Sequence, residues 1–199
     1  MTTRRRLNRQ LTAATAVALA LLAAGCGGDD DASSTTTPGT TAPASTAPST
    51  TATAAAEPVR IVTSDYAFGG LPATVAAGTA FEIQNTSATE LHEFVVIRLP
   101  DAETRPVDEL VHQDLEATLS AGPPAMVLLA PPGSNESIVA VGDGTVAEPG
   151  RYLAICMIPT GADPQAYLDA AAASDGAPPS VPGGPPHAMA GMYAEFTVA

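Results

Sequence analysis

Short runs of β-branched and aromatic residues alternate with glycine, proline and asparagine turns along most of the chain beyond residue 56. Runs of this kind, bounded by turn residues, are typical of β-strands. Many short strands in succession predict an all-β fold, a β-sandwich with Greek-key order. The predicted strands are 59–63, 80–84, 92–98, 145–147, 151–158 and 192–198.

Two segments depart from the strand pattern. Apolar residues recur at helical spacing within 107–120, which predicts a helix there. Asp163 and Pro164 suit the N-cap and the first position of a second, short helix over 164–173. We therefore expect one or two short helices inserted in the sandwich, the first of them within an insertion over 101–142.

The first 25 residues are typical of an export signal. A basic head of four arginines precedes an apolar stretch, 11–22, that is too short to span a bilayer stably. The stretch ends in Leu22-Ala-Ala-Gly-Cys26, which resembles a bacterial lipoprotein lipobox. The resemblance implies removal of residues 1–25 and attachment of lipid to the Cys26 thiol. An ordinary secretory signal with a chance cysteine is the alternative.

The segment that follows predicts a tether. Threonine, alanine, serine and proline dominate 26–56, so the segment has little apolar surface to bury and is expected to be disordered. Whether it carries O-linked sugar is left open. The remaining residues, 57–199, are long enough for one domain with a core. We thus expect a domain anchored by lipid to the extracytoplasmic face of the cell membrane.

Charge limits the choice of partners. The chain has a net charge of −13, and all eight basic residues are arginines. Loss of the signal removes four of them, which leaves four arginines against 21 acidic residues, a charge of −17. Nucleic acid is therefore excluded as a partner, and the membrane is reached by lipid rather than by charge. The acidity would steer a basic redox partner, or would serve solubility alone.

Cysteine usage adds one constraint. If Cys26 carries lipid, Cys156 is the sole remaining thiol and no intramolecular disulfide can form. A lone cysteine outside the cytoplasm is expected to be buried or bound to a metal. The sequence leaves both explanations open.

Four residues together suggest a metal site. His92 opens a predicted strand, Cys156 lies in another, and His187 and Met192 come shortly before the last. One thiolate, two imidazoles and a thioether form the ligand set of a blue-copper electron-transfer site. Taken singly, each has a simpler explanation, such as a half-buried histidine or a core methionine.

These motifs resemble the cupredoxins, the plastocyanin and azurin family. The matching pieces are His92 at a strand start, Pro149-Gly-Arg-Tyr-Leu-Ala-Ile-Cys156, and His187 followed after four residues by Met192. The resemblance covers roughly 59–198. It implies a cupredoxin-like sandwich in which His92, Cys156 and His187 bind one type 1-like copper ion with Met192 as the axial ligand.

The sequence departs from the family pattern in three respects. Thirty residues separate Cys156 from His187, where the family has a few. Glu93 stands where plastocyanins commonly have asparagine, so its carboxylate either orients an imidazole or marks a changed site. The chain has no tryptophan. The aromatic residues expected to surround a copper ion are Phe94, Tyr152 and Tyr193.

The function predicted from these residues is single-electron transfer by one copper ion in a monomeric, membrane-tethered protein with a redox partner. Met157 and Met189 are spare thioethers that would suit Cu(I) handling or delivery instead. A metal-free cupredoxin-like interaction module is the third possibility. An enzyme is not expected, because a multicopper oxidase needs many histidines and the chain has three, of which His112 is predicted to be solvated.

Overall fold

The computed structural model describes residues 57–199. The predicted signal peptide (1–25), the lipidated Cys26 and the tether (26–56) lie outside the described residues. The strands are β1 Val59–Ser64, β2 Ala67–Gly69, β3 Thr74–Val75, β4 Thr79–Asn85, β5 His92–Arg98, β6 Met126–Ala130, β7 Ile138–Val141, β8 Thr145–Val146, β9 Gly150–Ile155 and β10 Tyr193–Val198. The helices are α1 Val107–Gln113, α2 Leu115–Ser120, α3 Pro164–Ala172 and a 3-10 helix, His187–Ala190.

The strands form two mixed sheets. One has the order β2-β1-β4-β8, and the other has the order β3-β10-β9-β5-β6-β7. The pairs β1–β4 and β3–β10 are parallel, and the other pairs are antiparallel. The predicted all-β sandwich is therefore confirmed.

The main core lies between the two sheets. Alternating residues of β4, such as Phe81 and Ile83, point into it from the smaller sheet. Phe94 and Phe196 enter it from the larger sheet, and Phe81 packs against both of their rings. Burial of such apolar side chains stabilises a fold by about 1.5–3 kcal/mol each.

The larger sheet is apolar on its outer face as well. Ile97 of β5 packs there with α1 and α2, whereas Leu129 of β6 packs with Tyr167 of α3. Strands that are covered on both sides have near-continuous apolar sequences, and all five residues of β6 are buried. The inserted helices thus act as a second layer over this sheet.

The structure corrects several sequence predictions. The single helix predicted over 107–120 is two helices, because Asp114 leaves the helical conformation (φ −138°, ψ 29°). The Asp114 carboxylate forms an ion pair with Arg105. The insertion over 101–142 also contributes two sheet strands that were not predicted. The strand predicted over 151–158 ends at Ile155, since the chain leaves the sheet there. The strands missed by the sequence patterns are β2, β3, β6 and β7.

Among the helices of residues 57–199, none has the length and apolar character that crossing a bilayer requires.

Candidate metal centre

Three of the predicted site residues converge at one end of the larger sheet. His92, Cys156 and His187 are each fully buried. The Nδ1 atoms of the two histidines are 3.2 Å apart, and Sγ of Cys156 is 3.3 Å from Nδ1 of His187. Every pair of these three donor atoms lies within 4.8 Å. Residues up to 95 positions apart in the sequence thus form one compact cluster.

Strand pairing explains two of the three positions. His92 is the first residue of β5, and Cys156 directly follows β9. The two strands are antiparallel neighbours, with Val95 opposite Ile155. The N-terminal end of β5 therefore lies beside the C-terminal end of β9, and both side chains reach the same end of the sheet.

A short antiparallel stem brings His187 to the cluster. The stem consists of residues 158–160 and 184–187. The segment over 161–183, which contains α3, connects its two sides. The stem returns the chain to the sheet, so His187 and Ala188 lie next to Cys156 although 30 residues separate Cys156 from His187 in the sequence. The stem bonds are His187 N–H to Ile158 O (3.0 Å), Thr160 N–H to Pro185 O (3.0 Å) and Gly184 N–H to Thr160 O (2.8 Å), and Ala188 N–H donates to Cys156 O (2.9 Å).

Met192 lies in the same buried cluster. Its side chain is fully buried and packs with Cys156 in one apolar group. The backbone of Met192 accepts a hydrogen bond from the Cys156 N–H (3.1 Å) and donates one to the His187 carbonyl (3.2 Å). These bonds fix the backbone of Met192 beside that of Cys156 and His187.

The distances among the donors fit a single transition-metal ion. Imidazole nitrogens bind such ions at about 2.0–2.1 Å and thiolate sulfur at about 2.3 Å. Ligand angles of about 95–120° then place neighbouring donors about 3.0–3.8 Å apart. The two distances from His187 Nδ1, 3.2 and 3.3 Å, fall in that range, and the donor atoms of His92 and Cys156 lie within 4.8 Å of each other. The donor set, two imidazoles and a thiol in a buried site, fits one type 1 copper ion.

Protonation of the cluster also suits a cation. Burial lowers the pKa of His92 to about 4, with a further contribution from the neighbouring His187. Burial also lowers the pKa of His187, against the opposing effect of the Glu90 carboxylate. Both rings are therefore neutral near pH 7, with lone pairs available. Burial, reinforced by Glu93, raises the pKa of the Cys156 thiol well above its usual value, so a metal would displace that proton on binding.

The Nε2 atoms of the two histidines, His92 and His187, make no hydrogen bond among the described residues. Both atoms are buried. Nε2 of His187 is nevertheless 3.4 Å from Oε2 of Glu90. Carboxylates beside a ligating imidazole commonly fix its tautomer. Glu90 is placed to keep the proton of His187 on Nε2, which frees Nδ1 for a metal.

Glu93 does not orient an imidazole. Its side chain is buried, and Oε1 accepts a hydrogen bond from the N–H of Met157 (2.8 Å) while Oε2 accepts one from the hydroxyl of Tyr167 (2.9 Å). The carboxylate therefore connects β5, the residue that follows Cys156, and helix α3. It braces the thiol-bearing loop from the side of the insertion.

Asn85 braces the histidine-bearing loop. Its Nδ2 donates to the carbonyls of Glu90 (2.7 Å) and Ala130 (3.0 Å), and its Oδ1 accepts from the N–H of Ser87 (2.9 Å). The Glu90 carboxylate in turn accepts from the N–H of Gly161, at 3.2 Å for Oε2. These bonds hold the segment before His92 against both the sheet and the stem.

The aromatic residue next to the cluster is Tyr66, which the sequence patterns did not indicate. Its ring lies 4.9 Å from that of His187, centroid to centroid. Of the expected aromatic residues, Phe94 and Tyr152 pack in the main core, and Tyr193 donates its hydroxyl to Asp108. Tyr66 has a positive φ of 62°, which is uncommon for a residue other than glycine. This conformation is visible only in the structure, so the sequence offered no sign that Tyr66 lies near the site.

The remaining candidates lie away from the cluster or outside the described residues. His112 is exposed on α1, as predicted, and its Nδ1 lies 2.8 Å from the Asp108 carbonyl oxygen. Met189 follows the cluster on the 3-10 helix and is 43% exposed. Cys26 lies in the part of the chain that is not described.

Comparison with known proteins returns structural neighbours. No protein-family model matches the chain, and no curated protein matches it significantly. An auracyanin from the photosynthetic bacterium Roseiflexus castenholzii, reduced with dithionite, has 19% identity over 70% of this chain and 94% of its own, with a TM-score of 0.41. Auracyanin B has 16% identity over 71% of this chain and 87% of its own, with a TM-score of 0.36.

Auracyanin A, described as a "blue" copper protein from the green thermophilic photosynthetic bacterium Chloroflexus aurantiacus, has 23% identity. It is matched over 52% of this chain and 88% of its own, with a TM-score of 0.35. Because the TM-scores are low, these neighbours are not evidence that this chain binds copper. That evidence comes from the donor cluster.

Proposed function

We propose that this protein binds one copper ion and transfers single electrons as a cupredoxin-like carrier tethered to the outside of the cell membrane. His92, Cys156 and His187 would hold the copper, and Met192 would be its weak axial contact. The observation that carries the proposal is the convergence of two imidazole Nδ1 atoms and one thiol in a fully buried cluster.

Bound copper would supply a one-electron couple between Cu(II) and Cu(I). The chain supplies donors that are uncharged, shielded from water and fixed in position. Asn85 and Glu93 hold the two ligand-bearing loops by hydrogen bonds to backbone groups. Full burial of His92, Cys156 and His187 keeps water away from the donors. Donors held in this way resist rearrangement, which favours fast electron transfer over capture and release.

The colour of the copper form tests the proposal. Addition of Cu(II) to the purified protein is expected to give an intense visible thiolate-to-copper band at one copper per chain. Cys156→Ser should abolish the band, because a hydroxyl does not replace the thiolate, while the exposed His112→Gln should leave it unchanged. A wild-type protein that stays colourless with Cu(II) would contradict electron transfer, and failure to bind either copper ion would leave the metal-free interaction module.

The two methionines near the cluster allow a matched comparison. Met192 is fully buried within the cluster, whereas Met189 is 43% exposed. Because the axial ligand tunes the reduction potential, Met192→Leu should raise the potential of the copper form and shift its visible band. Met189→Leu should change neither. Redox titration followed in the visible range measures both, and equal effects of the two substitutions would argue against Met192 as the axial ligand.

Copper(I) handling is the second candidate, favoured by the exposure of Met189. A thioether on the surface beside the cluster could receive Cu(I) before it reaches the buried donors. In that case Met189→Leu would slow the uptake of Cu(I) from a soluble chelator while leaving the final affinity unchanged. Equal uptake rates in the two proteins would leave electron transfer as the single copper function.

A further inference from the structure

The outer face of the larger sheet contains a cavity of about 300 Å³. Its floor is formed by strands β5, β6 and β7, and its walls by α2, α3 and the loop over 174–179. Helices α1 and α2 pack at one end of this face, around Ile97 and Ile155. Helix α3 packs at the other end, around Leu129. The two insertions cover the face from opposite ends and leave the cavity between them.

The lining is mostly apolar, with a polar group at one end. Val95 and Val127 lie on the floor, and Leu119 and Ala171 form part of the walls. The polar end holds Glu93, whose carboxylate accepts a hydrogen bond from the Tyr167 hydroxyl. Both residues that form this end are buried, and both line the cavity.

Glu93 has bonding capacity to spare. Each carboxylate oxygen accepts one hydrogen bond within the protein, from Met157 and from Tyr167. A carboxyl group has about four acceptor positions when ionised and keeps acceptor capacity when protonated. A donor group on a molecule inside the cavity could therefore bind Glu93 without breaking either existing bond.

We propose that this cavity binds a small, uncharged, mostly apolar molecule that carries one hydrogen-bond donor directed at Glu93. Ligand sites are typically apolar pockets of about 300–1,000 Å³ with a few placed polar groups. The volume of about 300 Å³ lies at the lower end of that range, which suits a small molecule better than a peptide. The acidic chain and the buried carboxyl group disfavour an anion.

Three related probes test the size and chemistry of the ligand. The metal-free, full-length protein is titrated with 1-naphthol, naphthalene and naphthalene-1-sulfonate, and binding is followed by probe fluorescence. We expect saturable binding of 1-naphthol at one per chain, about 2- to 10-fold tighter than naphthalene because of the added hydrogen bond. The sulfonate should bind at least about 10-fold more weakly, because its charge would be desolvated. Absence of saturable 1-naphthol binding overturns the proposal.

A pair of alanines locates the binding. Ala140 on β7 and Ala166 on α3 are both exposed, but Ala140 lines the cavity and Ala166 does not. Ala140→Phe should fill the space and weaken 1-naphthol binding at least about 10-fold, while Ala166→Phe should leave it unchanged. If Ala140→Phe lowers the unfolding midpoint by more than the control does, Ala177→Phe in the covering loop serves instead. Unchanged binding in the cavity-filling variant places the probe elsewhere and overturns the proposal. The test needs no copper, so its result is separate from that of the copper titration.

Discussion

At the residue scale, Glu93 has an unusual environment for a carboxylate. It is 4% exposed, next in sequence to His92, and bonded to the residue after Cys156. Burial raises its pKa to about 7, against the opposing effect of the hydrogen bonds from Met157 and Tyr167. A buried carboxyl group at this position ties the metal loop to the insertion and makes the stability of the protein depend on pH.

The sign of that dependence follows from the raised pKa. Between the unfolded value of about 4.5 and the folded value of about 7, the folded state binds the proton more tightly, so the contribution of Glu93 falls as pH rises through this window. We expect the unfolding free energy of metal-free wild type, measured relative to Glu93→Gln, to fall by about 3 kcal/mol between pH 4 and pH 8. Urea unfolding at several pH values measures it.

The comparison with a variant removes the contributions of the two buried histidines, which act in the opposite direction because their pKa values are lowered. Glu116→Gln, at an exposed position on α2, is the matched control, and its difference from wild type should stay flat. A flat difference for Glu93→Gln as well would contradict the buried, raised carboxyl group.

At the element scale, the stem decides whether His187 reaches the thiol. Two adjacent glycines show how closely its strands approach. A Cβ on Gly183 would lie 2.5 Å from Cβ of Pro159 and 3.1 Å from the Thr160 carbonyl oxygen, whereas a Cβ on Gly184 would lie 3.4 Å from its nearest neighbour. A methyl group at position 183 would therefore push the two sides of the stem apart, whereas one at position 184 would fit.

These distances predict different effects of two similar substitutions. Gly183→Ala should lower the unfolding free energy by about 1–3 kcal/mol, because the stem must separate to admit the methyl group. Gly184→Ala should change it by no more than about 0.5 kcal/mol. Urea unfolding compares the two, and copper binding should weaken in Gly183→Ala alone. Equal stability of both variants would mean that the stem does not pack as described.

At the scale of the whole molecule, the acidic charge is paired with few cations. Within residues 57–199 each of the four arginines contacts an acidic side chain. Each arginine of the described domain is thus part of an ion pair, and the charge argument from the sequence stays a prediction. Attachment to a membrane would then depend on Cys26.

The lipid anchor is tested by a single substitution. Cys26→Ser removes the thiol that would carry lipid, so the protein expressed in a bacterium should move from the membrane fraction to the soluble extracytoplasmic fraction. Copper binding by the domain should be unchanged, because Cys26 is not among the proposed ligands. Retention of Cys26→Ser in the membrane fraction, after a wash at high salt, would contradict lipid anchoring.

The sequence by itself determined the class of fold and indicated His92, Cys156 and His187 as candidate donors, which the structure brings together. Strand patterns are local, since side chains alternate with a period of two along the chain. The set of one thiol, two imidazoles and one thioether could be recognised because the chain has only three histidines and two cysteines, which leaves few candidate ligands. The sequence also indicated Asp163 as the cap of α3, and its side chain does accept the Ala166 N–H.

The tertiary structure alone decided how the donors meet and what supports them. Strand β6 was missed although it is a continuous apolar run, because a run buried on both faces lacks the alternation of a half-exposed strand. The contacts of Glu93 with Tyr167, of Glu90 with His187 and of Tyr66 with His187 join residues distant in sequence. No local pattern encodes such contacts. The long segment before His187 was compatible with many loop paths, and only the pairing of the stem selected the path that closes the site.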